Sequence, residues 1–429
     1  MTLLPPNHQD CCPKYDPTPR AVSPELAGAT AAHAISIQGT VRDRLEGVLD
    51  ARGISRRNVI GLGSLAGATA LLRVSSAAAR TDGAAGTLPA SSFDHRRVGK
   101  THELPSNNET VRVGAMDPAT PAVLTIESGD VVHYPNTWVN WANEAKYGMD
   151  FATREPIRKR YPQGPYSLVG PVVIAGAEPG DVIECRMLRL KPIDWGWNSA
   201  PKGVGALPGD FNEPYLHYLR FDAGRRFADF GSGVRIPLAP VQGVMALQPA
   251  VDKPVSAILS GPYGGNIVLR ELVEGTSLFL PVQVAGARVW TGDSHAAQGD
   301  GVVDQTAIET AMEDLRIQYV LHKKTELPAP IAETASHWIM LGFGDSIEDA
   351  LTTSLRQTIA WLSSSTGLSK LDVYALCSIS GSFRITQYAH QTNTVYATVP
   401  AKTVHCMLPK DIFSKDLQQH IATSVRPGG

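Results

Sequence analysis

Cysteine is rare in this chain: five residues among 429, at positions 11, 12, 185, 377 and 406, none in C-x-x-C spacing. That argues against a structural zinc site, and the odd count argues against a disulfide framework. Charge is sparse as well, with 39 basic residues against 41 acidic ones and 19% charged overall. So even a balance excludes a nucleic-acid binder that works through a basic surface. A hydrophobic share of 43% excludes a disordered chain. No uncharged apolar run approaches the roughly 18 residues of a spanning helix, so no stable membrane span is expected. Aromatic residues make up only 7%, so the Trp-rich stretches at 138–141 and 195–197 stand out. Glycine (39) and proline (31) are plentiful. Both punctuate turns, and their number predicts many short strands and a mainly β (α+β) fold class.

The N-terminal part reads as an address. Ser55-Arg56-Arg57-Asn58-Val59-Ile60 opens a modestly apolar, Gly- and Ala-rich run to residue 72, and Ala77-Ala78-Ala79 follows. Paired arginines, an apolar run and a small-residue cleavage signal in that order predict a twin-arginine export signal over 55–79. An exported protein, periplasmic or extracellular, is therefore expected, with the twin-arginine machinery as a partner. Residues 1–54 are expected to be an extension without order, and the depth of the signal fits a translation start further in. Gly61-Leu62-Gly63-Ser64-Leu65-Ala66 matches a dinucleotide-binding G-x-G-x-x-A, but no strand precedes it and it lies inside the signal.

Residues 80–108 are small and polar and read as a linker. From 109 to 410 short apolar runs alternate with turns. Val123 to Ile126 leads through Ser128-Gly129-Asp130 to Val131, and a run ending at Ala175 leads through Glu178-Pro179-Gly180-Asp181 to residues 182–190. Both read as hairpins. Residues 306–314 read as a short helix or strand. Ser346 with Asp349 three residues on predicts the cap of a helix over 347–363, with Leu351, Leu355, Ile359 and Leu362 on its apolar face. A second helix is predicted over 370–377 and a peripheral tail over 411–429.

Two clusters carry chemistry. In Thr291-Gly292-Asp293-Ser294-His295-Ala296-Ala297-Gln298-Gly299-Asp300-Gly301, Asp293 and His295 are two apart and face the same way on a strand. A carboxylate and an imidazole on one side either bind a divalent metal or form a base and its orienter. The competing reading is a Gly/Asp turn with His295 satisfied by hydrogen bonds. In Ser260-Gly261-Pro262-Tyr263-Gly264-Gly265-Asn266, the paired glycines either present Asn266 to a carbonyl or amide or form a plain bulge. The remaining histidines His217, His337, His390 and His405 lack ligand spacing and read as structural. Trp138 and Trp141 either wall a pocket for a larger apolar amide or, the preferred reading, serve as core and rim packing.

Taken together, "GPYGGN" (261–266), "LFLPVQVAGARVWTGDSHAAQGDG" (278–301) and "TAIE" (306–309) resemble the acetamidase/formamidase family. "VLTIESGD" (123–130), "LVGPVVIAGAEPGDVIEC" (168–185) and "IPLAPVQGVMALQP" (236–249) agree in order. The resemblance runs from about residue 108 to 409 and makes 109–410 the catalytic domain. It implies a composite β-sandwich/β-barrel-like fold with a few C-terminal helices, in a hydrolase that is commonly a homodimer or higher oligomer. The substrates implied are small linear or cyclic amides, from which ammonia or an amine is released. A divalent metal ion, zinc or calcium, is implied near Asp293 and His295. On this reading Asp300 is general base or further ligand, and His295 and Asn266 are catalytic. Gly264, Gly265, Trp197 and Gln298 bind the substrate amide.

The departures open a second reading, an exported non-catalytic binding protein on the same fold. Val302 stands where the family usually has the Glu of Gly-Asp-Gly-Glu, and Val268 where an Asp is usual. Tyr263 and Arg112 replace common histidines.

Overall fold

The structure, a computed structural model, describes residues 99–388, 396 and 398–427. The predicted extension, the export signal and His390 lie outside these residues. Nine strands form one sheet, in the order Thr101–Glu103, Val131–Tyr134, Met312–His322, Val182–Pro192, Ser277–Pro281, Ile331–Glu333, His337–Gly344, Lys402–Pro409 and Ser382–Gln387. A second sheet follows the path Ser260–Gly261, Gly264–Asn266, Val241–Leu247, Val289–His295, Glu309–Thr310, Trp195–Ala200 and Tyr215–Arg220. Ser167–Ile174 joins it at Val289–His295 and carries Val111–Val113 and Leu124–Ile126. The molecule is mainly β, and within residues 306–314 Glu309–Thr310 and the residues from Met312 on prove to be strand.

One core joins the sheets. Ile183, Met187, Leu278 and Ile317 of the first meet Val169, Val172, Met245 and Val289 of the second. Each such side chain contributes about 1.5–3 kcal/mol on full burial. The first sheet is covered on both faces. Ile183 and Leu341 enter the core between the sheets, while their neighbours Val182 and Met340 pack with the C-terminal helices Ile347–Thr366, Lys370–Ser380 and Lys415–Val425. Burial of both strand faces explains runs that are apolar without alternation. Among the described residues no helix is long and apolar enough to cross a membrane.

Several expectations are corrected by packing. The two Gly-Asp turns are not hairpins. Leu124–Ile126 pairs in the ten-stranded sheet and Val131–Tyr134 in the nine-stranded one, and Ser167–Ile174 and Val182–Pro192 divide in the same way. Each turn carries the chain from one sheet to the other. Gly129 and Gly180 turn with φ of 93° and 92°, and the next residue's carboxylate locks the turn. Asp130 Oδ2 accepts from Glu127 N–H at 3.1 Å, and Asp181 Oδ2 from Glu178 N–H at 2.8 Å. Turn chemistry is local, whereas the sheet that receives the next strand is not.

The capped helix is present and longer than predicted, Ile347–Thr366, with Asp349 N–H donating to Ser346 Oγ at 3.0 Å. Its buried face is Ala350, Ser354, Thr358 and Leu362, while Leu351 is exposed. The reason lies beneath it. Gly342 and Gly344 leave no room for a Cβ against Ser354 and Ala350, so the helix sits too close to the sheet for leucine. The residues expected to form a linker already include Thr101–Glu103, paired in parallel with Val131 to His133. The expected tail is no peripheral strip. Lys415–Val425 buries Ile421 and Val425, and Arg426 Nη2 reaches Glu184 Oε1 at 2.6 Å. Glu184 is wholly buried and also meets His322 Nε2 at 2.9 Å and Arg186 Nη2 at 3.0 Å.

Candidate active site

Val289–His295 is buried along its whole length. Alternation puts Asp293 and His295 on one side. Glu309 is the direct cross-strand neighbour of His295, and Trp197 that of Glu309. Register alone therefore gathers two carboxylates, an imidazole and an indole, because cross-strand neighbours share a face. His295 Nε2 lies 3.2 Å from Asp293 Oδ2 and 3.3 Å from Glu309 Oε1. Its other nitrogen, Nδ1, donates to Gln298 Oε1 at 2.7 Å, since the Gln298 amide donates its own N–H to the Val268 carbonyl. That bond fixes the ring and leaves Nε2 facing the carboxylates. Glu309 Oε2 accepts from Asn140 Nδ2 at 3.3 Å, and Oε1 from Ala307 N–H at 3.2 Å.

Asp293 differs. It is 3% exposed, yet neither carboxylate oxygen has a hydrogen-bond partner. Buried carboxylates are normally paired or bind metal, so two orphaned oxygens mark a place for a cation. Gly243 makes the room: a Cβ there would stand 2.9 Å from His295 Cε1 and closer still to the Asp293 carboxylate. The ligand atoms of Asp293, His295 and Glu309 lie within 4.8 Å of one another.

The electrostatics agree. Burial pushes the Asp293 carboxyl upward, and Glu309 adds to the push while His295 opposes it. Burial alone would lower His295, but Asp293 and Glu309 outweigh it and hold the imidazole well above its ordinary value. Glu309 is held down, because His295 overcomes the effect of burial. Two buried carboxylates this close need compensation, either a proton held among Asp293, His295 and Glu309 or a bound cation.

A cavity of about 260 Å³ opens beside the trio, and Glu309 is the member that lines it. Asn140, Trp141, Arg154, Tyr166, Trp197 and Asn266 also line it. Asn266 Nδ2 donates to Ile258 O at 3.2 Å and to Tyr166 OH at 3.4 Å, leaving its buried Oδ1 without a partner. Burial, with the charges of Asp293 and Glu309 adding to it, raises the Tyr166 pKa well above the ordinary value. The group stays a phenol and keeps its proton to donate. A buried acceptor and a half-buried donor beside two carboxylates suit a primary amide, which offers both an N–H and a carbonyl.

The structure distributes the sequence candidates unevenly. Asp293 and His295 meet, and Trp197 and Asn266 line the cavity. Gly264 and Gly265 do not line it. They pair with Ala246 and Met245 in the sheet, at φ of 88° and 93°, and deliver Asn266. Gln298 holds the His295 ring and is not among the lining residues. Asp300 is not brought into the trio; its Oδ2 lies 3.7 Å from both Arg270 and Arg384, in a cluster with Glu271 and His405. Trp141, expected to be packing, is a cavity wall. Of the departures, Val302, Val268, Tyr263 and Arg112 all lie off the cavity lining. Arg112 donates to backbone carbonyls of its own loop. Sequence reasoning passed over Glu309, Asn140 and Tyr166. Glu309 stood in a quoted motif, but only strand register shows that it faces His295.

The same fold occurs in a solved acetamidase from Yersinia enterocolitica, with a TM-score of 0.65 at 25% identity, covering 76% of this chain and 96% of that one. The chain belongs to the acetamidase/formamidase family, whose model matches residues 100–260 and 254–415. A putative formamidase of Schizosaccharomyces pombe (strain 972 / ATCC 24843) is 24% identical over 191 residues, 32% of this chain and 47% of that protein. An acetamidase of Mycolicibacterium smegmatis is 22% identical over 273 residues, 50% of this chain and 65% of that protein. The chain thus spans about half to two thirds of the curated relatives it matches.

Proposed function

We propose that this protein is an amidohydrolase that cleaves the carbon–nitrogen bond of small non-peptide amides and releases ammonia or an amine. The observation that carries it is the Asp293 carboxylate, buried without a hydrogen-bond partner in ion-pair range of His295 and close to Glu309, next to a cavity with an unpartnered Asn266 Oδ1. Asn266 Oδ1 accepts the substrate N–H, and the Tyr166 phenol donates to the carbonyl oxygen, on which charge grows as water adds. Glu309 keeps Oε1 with His295 and Oε2 beside Asn140. As the trio member on the cavity, it takes the proton of the attacking water and returns it to the departing nitrogen. Trp141 and Trp197 exclude bulk water and strengthen these contacts.

Asp293, His295 and Glu309 would hold a divalent ion, with imidazole nitrogen favouring zinc over calcium, which takes oxygen ligands. Such an ion polarises a carbonyl and lowers the pKa of bound water. The reading also includes export through the twin-arginine route, supported by the order of features at 55–79. Assembly of copies of the chain is supported by Leu371, Tyr374 and Ile379, which are 76%, 53% and 81% exposed on one helix.

The test is ammonia release by the purified protein from formamide, acetamide, propionamide and a lactam, with and without chelator. Release that chelator suppresses and His295→Ala abolishes is expected. A folded, zinc-supplied sample that cleaves none of these amides overturns the reading.

A further inference from the structure

The charged groups around the cavity do not balance. Glu309 belongs to the trio, and Arg158 is paired with Glu155 at 2.6 Å. Arg154 is only 3% exposed, yet among the described residues no carboxylate lies within ion-pair distance of it. Its helix, Phe151–Lys159, starts at Asp150, whose carboxylate accepts from Thr153 N–H, and this start aims Arg154 inward. The guanidinium carbon stands 4.8 Å from the Trp197 ring, 5.1 Å from Tyr218 and 5.6 Å from Trp141. Nη2 donates to Tyr218 OH at 2.9 Å, while Nε is buried with no hydrogen-bond partner. Lys202 lines the same cavity from an exposed position.

A buried guanidinium without an anion is rare, because desolvation of a charge costs several kcal/mol unless it is paired. Aromatic faces offset part of that cost but leave the N–H donors unused. The planar fork of donors matches the paired oxygens of a carboxylate, as it does those of a phosphate, and a carboxylate is the smaller of the two. Burial pulls the Arg154 pKa down, and Tyr218 and the more distant charge of Glu309 offset that only in part. A neutral amide such as acetamide offers this group a carbonyl acceptor but no compensating charge.

We propose that Arg154 is a specificity residue and that the substrates preferred here are short amides carrying a carboxylate, monoamides of small dicarboxylic acids. The proposal rests on the amidohydrolase reading. The amide end lies against Asn266, Tyr166 and Glu309, the carboxylate end against Arg154, and the carbon chain between Trp141 and Trp197. Arg154 and Glu309 then act on opposite ends of one ligand: the carboxylate of Glu309 repels the acid end, and the guanidinium attracts it. Binding orientation follows from charge alone.

The experiment compares kcat/KM for ammonia release from two matched pairs, malonamate against propionamide and succinamate against butyramide. The anionic member of at least one pair should be favoured tenfold or more. That ratio should fall to about one in Arg154→Gln and recover in part in Arg154→Lys. Each ratio is taken within one preparation, so loss of folded protein cancels. Calorimetric titration of the unaltered protein with malonate and succinate reads the same site without turnover. Binding of either dianion that weakens tenfold in Arg154→Gln supports the proposal even if no amide is cleaved, in which case only the amidohydrolase reading falls. Cleavage of neutral amides with no preference for the anionic partner, and no binding of either dianion, overturns the proposal and leaves the amidohydrolase reading standing.

Discussion

Glu309 faces His295 directly across a strand pair, with Oε1 and Nε2 3.3 Å apart. The contact depends on backbone register alone. A slip of one residue would turn either side chain to the opposite face of the sheet.

Replacing Glu309 by Gln keeps the shape and removes the charge. Steady-state ammonia release should fall by about 10²–10⁴ in kcat/KM, the range for loss of a general base. Unchanged activity would remove Glu309 from the chemistry.

Gly243 leaves the space that the Asp293 and His295 side chains occupy. Gly243→Ala should displace both and abolish ion binding and turnover. Overpacking should cost about 1–3 kcal/mol of stability. Circular dichroism should show the native spectrum while calorimetry finds no zinc site.

On the proposed metal reading, zinc and a proton would compete for one place. His295 is held above its ordinary value by Asp293 and Glu309 against the effect of burial, so a zinc ion bound there would displace a proton. Zinc affinity should fall about tenfold per pH unit on acidification. Calorimetry in buffers of different ionisation enthalpy should report about one proton released per ion.

Glu184 answers to acid. Burial alone would raise it, but hydrogen bonds from His322, Arg426 and Arg186 and the charge of Arg426 hold it well below its ordinary value of 4.5. A lowered carboxylate contributes stability above its unfolded value, and that stability is lost as pH falls toward the folded value. Thermal unfolding between pH 7 and 3 should show Tm dropping below about pH 4.5. Arg426→Ala should cost about 3–5 kcal/mol at neutral pH, because it leaves the buried Glu184 carboxylate with only His322 and Arg186. A variant as stable as the native protein would contradict this account of the network.

The chemistry-bearing segments were legible wherever the signal is local. The pairing of Asp293 with His295 follows from spacing two apart on a strand, and Ser346 with Asp349 announces a helix cap by its residue types. Glycine-rich turns at 129 and 180 were visible as turns. What lay beyond reach depends on partners distant in sequence. Asp300 looked like a site residue because it is five after His295, but Arg270 and Arg384 draw it elsewhere. Leu351 looked buried by its period, but the close glycine floor of the sheet favours Ala350 and Ser354. His405 had no ligand spacing, yet it lies with Glu271 and Asp300, whose partners come from three separate stretches. Glu271 there is pushed up to about 7 by burial and Asp300.

The buried carboxylate of Glu184 meets Arg426, which is 242 positions later in the chain. At ribosomal rates of 5–20 residues per second, roughly 10–50 s separate the synthesis of the two. Throughout that interval the central sheet holds an acid whose principal cation has not yet been made. Folding from the N-terminal side therefore leaves this carboxylate with Arg186 and His322 alone until the C-terminal helix docks.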